Sequence, residues 1–208
     1  MFVELIEALR CPRDHAESPL VVTASRTDAR HILDGVLGCP VCRAEFPIRG
    51  GEALFVNDSA AEAVAPDQEM GMRLAAFLEL TDARGFAILC GSWGAHAEEV
   101  RALSDAPLLL VNPPDGVDVS ATGIVRVRGR LPVAPSSARA AALDERDDPL
   151  LVASAVACVR PKGRIAGPTT VSVPDGVHEL TRDARMWVAE RRAAPDGPTR
   201  RLVTLRRA

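Results

Sequence analysis

Tyrosine is absent from these 208 residues, Lys162 is the only lysine, and aromatic side chains make up 3% of the chain. Arginine stands where lysine would, and both oddities read as codon bias rather than chemistry. The lack of aromatics matters more. Unpaired bases stack on aromatic rings, and the basic stretch from Arg182 to Arg207 offers almost no such ring beyond Trp187. The net charge of -3 gives no general electrostatic case for nucleic acid either. No apolar run approaches the roughly 18 residues of a membrane-spanning helix, so no membrane span is expected. The first ten residues carry Glu4 and Glu7 without a basic leader or apolar block, so no secretory signal is expected. Cysteine is scarce at 5, three of them clustered in short turns, which suits a reducing compartment and a metal better than disulfides. The cytoplasm is the expected location. With 47% hydrophobic and 25% charged residues, the chain reads as globular, either one large domain or two unequal ones.

What is present begins with Cys11, His15, Cys39 and Cys42. Cys39-Pro40-Val41-Cys42 is a tight turn of the kind that sets two thiolates on one loop. Cys11-Pro12-Arg13-Asp14-His15 opens a matching turn in which Asp14 occupies the place of a second cysteine and His15 follows. Zinc takes thiolate and imidazole ligands in tetrahedral geometry, and structural sites fill all four positions with protein. His15 is the commoner ligand type beside three cysteines. Asp14 has the register but is a harder donor, so the fourth ligand is open between them, as is an empty site. A structural zinc is expected, because so small a module cannot bury enough core to stand alone. Cys90 and Cys158 lie on apolar segments and read as core thiols. His31, His96 and His178 read as surface or internally satisfied histidines.

Phe2, Leu5, Ile6 and Leu9 form the stripe of a short amphipathic helix. Strand-like segments follow at 19–23, at 31–33 before a turn at Asp34-Gly35, and around the second knuckle. Residues 57–68 lack periodicity and read as a linker. From 69 onward strands and helices alternate. A helix is expected over 72–80, a buried strand over 86–90 ending in Gly91-Ser92-Trp93-Gly94, and a helix over 95–103. Strands follow at 108–111 and 124–127, then another at 138–143, a helix over 150–159 and a strand at 164–166. Met186–Ala189 and Arg201–Leu205 flank a turn at 194–197 and read as an antiparallel hairpin. The fold class is therefore α/β: a small zinc-ribbon-like α+β module (1–56), the linker (57–68), and a Rossmann-like unit (69–208) with a mostly parallel sheet and a C-terminal antiparallel hairpin. The carboxylates at 144, 145, 147 and 148 read as a solvated loop.

The leading helix, Cys11-Pro12, Pro19-Leu20, Leu37-Gly38-Cys39-Pro40-Val41-Cys42, Phe46-Pro47-Ile48 and Gly50-Gly51 together resemble the zinc-ribbon family that includes the small activator subunit of tRNA, ribosomal-RNA and release-factor methyltransferases. Residues 69–208 are similar to class I S-adenosylmethionine-dependent methyltransferases. That likeness rests on Ala87–Ala95, on Leu131–Ala141 and on Ala157–Ile165. The resemblance implies cofactor contacts at Gly91, Gly94 and Asn112, but only in vestigial form. Trp93 is bulky inside the glycine loop, Asn112 stands where an acid should grip the ribose, Leu89 replaces an acid within the first strand, and Arg139 replaces an aspartate. These losses argue against S-adenosylmethionine as a working cofactor, and no catalytic residue is assigned.

Three functions compete. The first is a non-catalytic, methyltransferase-like pseudoenzyme acting through protein interaction or scaffolding. Its expected partner is a protein, with a methyltransferase or a translation-related factor implied by the resemblance. The second is an active methyltransferase carrying an activator-like module in cis. The third is an RNA-associated accessory factor, whose mark would be a steep salt dependence.

Overall fold

A computed structural model describes residues 1–56, 65, 67–80, 85–118 and 122–193. The predicted strand at 201–205 lies outside the described residues, as does most of the expected linker. The first part of the chain holds α1 (Val3–Ile6), β1 (Val21–Asp28), β2 (His31–Gly38), β3 (Glu45–Arg49) and β4 (Glu52–Leu54). The rest holds α2 (Gln68–Phe77), β5 (Ala87–Cys90), a 3₁₀ turn (Gly91–His96), α3 (Ala97–Leu103), β6 (Leu108–Val111), β7 (Gly123–Arg126), β8 (Ala138–Ala142), α4 (Pro149–Cys158), β9 (Val159–Pro168), β10 (Val177–Arg182) and β11 (Met186–Arg191).

The eleven strands among the described residues belong to one sheet, in the order β1-β2-β3-β4-β7-β6-β5-β8-β9-β11-β10. Counted from β5, the parallel strands run 3-2-1-4-5, the doubly wound order, and an antiparallel hairpin closes that end. The chain therefore has the mixed α/β architecture expected from its sequence. Among the described residues β11 pairs with β10, a strand not expected from the sequence, and the other half of the predicted hairpin lies outside them. Gly35 does not turn the chain. β2 runs through it, and the reversal falls at Ala29, which adopts φ +47°.

β5 and β6 form because they are continuous apolar runs buried on both faces. Ile88 and Cys90 enter a core shared with Leu109, Val125 and α4, whereas Ala87 and Leu89 enter the core under α2 and α3. Asp67 caps α2 by accepting the N–H groups of Glu69 and Met70 at 3.0 and 3.3 Å, and Asp148 caps α4 ahead of Pro149 by accepting that of Leu150 at 2.7 Å.

The first of these cores does not stop at residue 56. Leu5, Leu9, Leu37 and Ile48 pack into the same cluster as Ile88 and Leu109. The ladder is equally continuous: β4 pairs with β7 in parallel, Ala53 opposite Val125 and Leu54 opposite Arg126. Gly123 admits this approach, since a Cβ there would lie 2.5 Å from Cδ1 of Leu5. Leu5 is 1% exposed, and burying such a leucine contributes about 1.5–3 kcal/mol. Above the ladder, the Arg126 guanidinium holds Glu52 bidentately, with Nε to Oε2 at 2.8 Å and Nη2 to Oε1 at 3.1 Å. Beyond it, Arg10 donates its N–H to Pro132 O and Ala134 donates to Ala8 O.

Candidate metal centre and switch-point crevice

The two knuckles approach each other because β1 and β2 bring their ends together. Cys11 N–H donates to Ser18 O on the first loop, and Cys39 N–H donates to Ala44 O on the second. The result places Cys11, His15, Cys39 and Cys42 so that their ligand atoms all lie within 4.8 Å of one another. Cys11 Sγ is 3.7 Å from Cys42 Sγ, and Cys39 Sγ is 3.5 Å from His15 Nε2. A tetrahedron built with zinc–sulfur bonds of about 2.3 Å and zinc–nitrogen bonds of about 2.0 Å has edges of about 3.8 Å between sulfurs and about 3.5 Å from sulfur to nitrogen. The donor set fits the ion.

His15 also presents the right face. Its Nδ1 lies 2.6 Å from Ala16 O, a group that can only accept, so the ring proton sits on Nδ1 and the Nε2 lone pair faces the thiols. Asp14 is exposed and is not one of the four clustered donors, so the alternative left open by the sequence is not the one assembled. Burial pushes the Cys39 thiol up, but the N–H groups of Cys42 and Val41 and the adjoining thiols outweigh it and bring Cys39 down to about 6. Burial, with Cys39 and Cys42 beside it, pushes Cys11 up to about 11. One thiol of the cluster gives up its proton readily, and a dication would discharge the others.

At the C-terminal ends of β5 and β8, on either side of the strand-order reversal, a doubly wound sheet has its ligand crevice. Here the part of the crevice beside Gly91 is filled from within, while a cavity of about 320 Å³ lined by Gly94, Pro114 and Asp115 stays open next to it. Gly91 adopts φ +54°, and a Cβ on it would lie 2.6 Å from Asp144 Cγ. Asp144 Oδ2 accepts the Ser92 N–H at 2.5 Å and also the Ser92 hydroxyl. Asp144 is 2% exposed. Burial opposes its charge, but the Ser92 hydroxyl and the N–H groups of Arg146 and Ser92 hold its carboxyl below the usual range. The Trp93 indole N–H donates to Leu143 O at 2.7 Å and lays the ring over the end of β8. Gly94 packs against Pro113, 2.6 Å from where its Cβ would stand.

Asn112 is equally engaged. Its Nδ2 donates to Val127 O at 3.0 Å and its Oδ1 accepts the Val127 N–H at 2.8 Å, which lengthens the β6–β7 pairing by one side chain. The carboxylates following β8 form the solvated loop expected of them only in part, Glu145 and Asp148 being exposed. Asp144 is buried and bonds inward, Asp147 accepts the Asp144 N–H at 2.8 Å, and Asp148 caps α4. No charge pattern distinguishes the inward member of such an acidic run. His31 also departs from expectation: it is buried beside Phe2, and neither ring nitrogen is hydrogen-bonded.

Residues 3–51 match the model of the family described as Trm112p-like protein. The N-terminal module is Trm112p-like. Joined to it, the remainder of the described chain is an α/β unit of doubly wound strand order. No curated protein matches the chain. Among solved structures, a structural-genomics protein from Corynebacterium glutamicum is similar at 16% identity and a TM-score of 0.45, covering 64% of this chain and 85% of that one. A SAM-dependent O-methyltransferase from Thermotoga maritima is similar at 12% identity and a TM-score of 0.42, covering 68% and 71%. A putative methyltransferase from Escherichia coli is similar at 13% identity and 0.39, covering 71% and 95%. The doubly wound assignment rests on the strand order and not on these likenesses. Among the described residues no helix is long and apolar enough to cross a membrane.

Proposed function

We propose that this chain is a non-catalytic, methyltransferase-like protein that works through a protein partner, with a structural zinc held by Cys11, His15, Cys39 and Cys42. The observation that carries the reading is the Asp144 plug. A glycine turn after the first parallel strand is useful to a cofactor because its amides are free and its approach is open. Here the Ser92 amide is already taken by Asp144, and the space beside Gly91 is occupied by the same carboxylate. Asn112 and Trp93 are engaged by Val127 and Leu143. Zinc would supply cross-linking and no chemistry, because all four positions of its tetrahedron are filled by protein.

The zinc-bearing module has a role within its own chain. β4 covers the β7 edge, which would otherwise present unpaired backbone to solvent. The natural division is a ribbon of 1–56 whose last strand is continuous with the sheet of 69–208. Titration of the zinc-quantified protein with S-adenosylmethionine and S-adenosylhomocysteine tests the reading. The expected result is no heat of binding up to millimolar ligand with about one zinc per chain. Micromolar binding would overturn it and restore the enzyme.

A further inference from the structure

Between the first knuckle and α4 runs a groove of about 530 Å³, beside the metal tetrahedron, two of whose donors, Cys11 and His15, line it, and away from the switch-point crevice. One wall is Cys11-Pro12-Arg13 and the other is the outward face of α4, with Leu131 and Val133 beneath. The chemistry of α4 is unusual for a helix at a surface. Pro149–Cys158 contains no charged residue, and its single hydroxyl, on Ser154, is engaged by Leu131 N–H and Leu151 O. A helix apolar all round is normally covered all round. Yet Leu150 is 67% exposed and Ala153 is exposed beside it.

The rim is basic. Arg10, Arg13 and Arg130 line the mouth, and Glu17 is the only carboxylate among the lining residues. Glu17 is paired with Arg10 at 2.9 Å. The guanidinium groups of Arg13 and Arg130 have no ion pair among the described residues. An apolar floor with an arginine rim calls for an occupant with apolar side chains flanked by negative charge. Nucleic acid fits less well, since the lining holds no aromatic side chain besides His15 on which a base could stack.

The geometry points to this groove as the docking site for an acidic, amphipathic peptide segment of a partner protein, with Leu150 and Ala153 receiving its apolar face and Arg13 and Arg130 its carboxylates. This inference names the surface and partner chemistry for the function proposed above, and it rests on that reading only for the existence of a partner. The first knuckle is one wall, so the metal would shape the groove as well as hold the ribbon.

The test is selection of a displayed peptide library against immobilised, zinc-loaded full-length protein, with counter-selection on a Leu150→Asp/Arg130→Glu variant. Both substitutions are at exposed positions and leave the core intact. Enriched sequences should combine leucine, methionine or phenylalanine with flanking Asp and Glu. Their affinity should fall roughly tenfold or more in Arg13→Glu and as salt rises from about 0.1 to about 0.5 M. Three results would overturn the proposal: no enrichment over the counter-selecting variant; a single-stranded RNA oligomer that binds more tightly than any selected peptide and is displaced by Arg130→Glu; or a dimer in sedimentation that Leu150→Asp dissolves, which would make a second copy the occupant. Binding of S-adenosylmethionine would remove the pseudoenzyme reading without touching this one.

Discussion

The knuckles and the glycine turn depart from the patterns they resemble in opposite senses. The knuckles lack one of the four expected cysteines, yet their donor atoms keep the edges of a zinc tetrahedron. The turn has Gly91 and Gly94, yet the space beside Gly91 and the Ser92 amide are taken by the chain's own Asp144. A metal site is defined by a few donor atoms, and a neighbouring imidazole can replace a lost thiolate. A cofactor site is defined by empty volume and unengaged donors, and retained glycines do not guarantee either. Judging such sites by motif completeness would rank these two in the wrong order.

The sharpest way to break the comparison is to remove the metal. Chelation, or Cys39→Ser, should abolish zinc content and melt the β1–β3 ladder. Structural zinc contributes about 10–16 kcal/mol of apparent binding energy in small isolated modules. Circular dichroism together with metal analysis checks this, and an unaltered melting curve after complete zinc removal would contradict it. Because β4 is tied to β7, the loss should extend to the cooperativity of the whole chain.

The crevice makes a prediction with a definite sign in pH. Burial pushes Asp147 up to about 6, with the charge of Asp144 adding to it. The unfolded chain releases that proton near 3.9 while the folded chain keeps it to about 6, so stability falls as pH rises between those values. The contribution is fully present below about 4 and absent above about 6, and is worth at most about 3 kcal/mol. Asp144 acts oppositely: its carboxyl is held low, so its stabilising bonds are lost on acidification below the ordinary carboxylate range. Urea unfolding at a series of pH values should show the 4-to-6 decline in the parent chain and its absence in Asp147→Asn. An identical profile in both would remove Asp147 from the account.

A smaller effect sharpens the cofactor side. Asn112→Asp places an acid where the resemblance implies a ribose contact but sets a carboxylate oxygen against Val127 O, where Nδ2 now donates. It should cost about 1–3 kcal/mol in urea unfolding and confer no S-adenosylmethionine binding. Gain of binding would mean that the crevice needs only the acid and not the space. The least effect is expected of Asp14→Ala. Its carboxylate is exposed and outside the cluster, so zinc affinity should be unchanged and stability should move by no more than about 0.5 kcal/mol. A clear loss of zinc in that variant would assign the fourth ligand to Asp14 and not His15.

Much of this was legible in the sequence, for physical reasons that also explain the misses. Leu108–Val111 and Ala87–Cys90 are buried on both faces, so their apolar runs declare them. Val177–Arg182 went unread because it is an edge strand whose side chains, apart from Val177, lie mostly in solvent, leaving no alternation to see. The metal donors were visible as a set, but the choice of His15 over Asp14 needed the ring's bond to Ala16 O. The plug was not visible at all, because an inward Asp144 and an outward Glu145 look alike in a run of charges. Nor was the β4–β7 pairing, which depends on the path of the intervening chain.

That pairing sets a timetable for the nascent protein. Glu52 faces Ile124, roughly 70 residues downstream, and at about 5–20 residues per second a ribosome needs on the order of 10 s to deliver the second strand after the first. Both knuckles are complete before then, so zinc can be captured while β4 still waits with one side open. The metal would then act as a temporary foundation, holding a half-built sheet in register until its neighbour arrives.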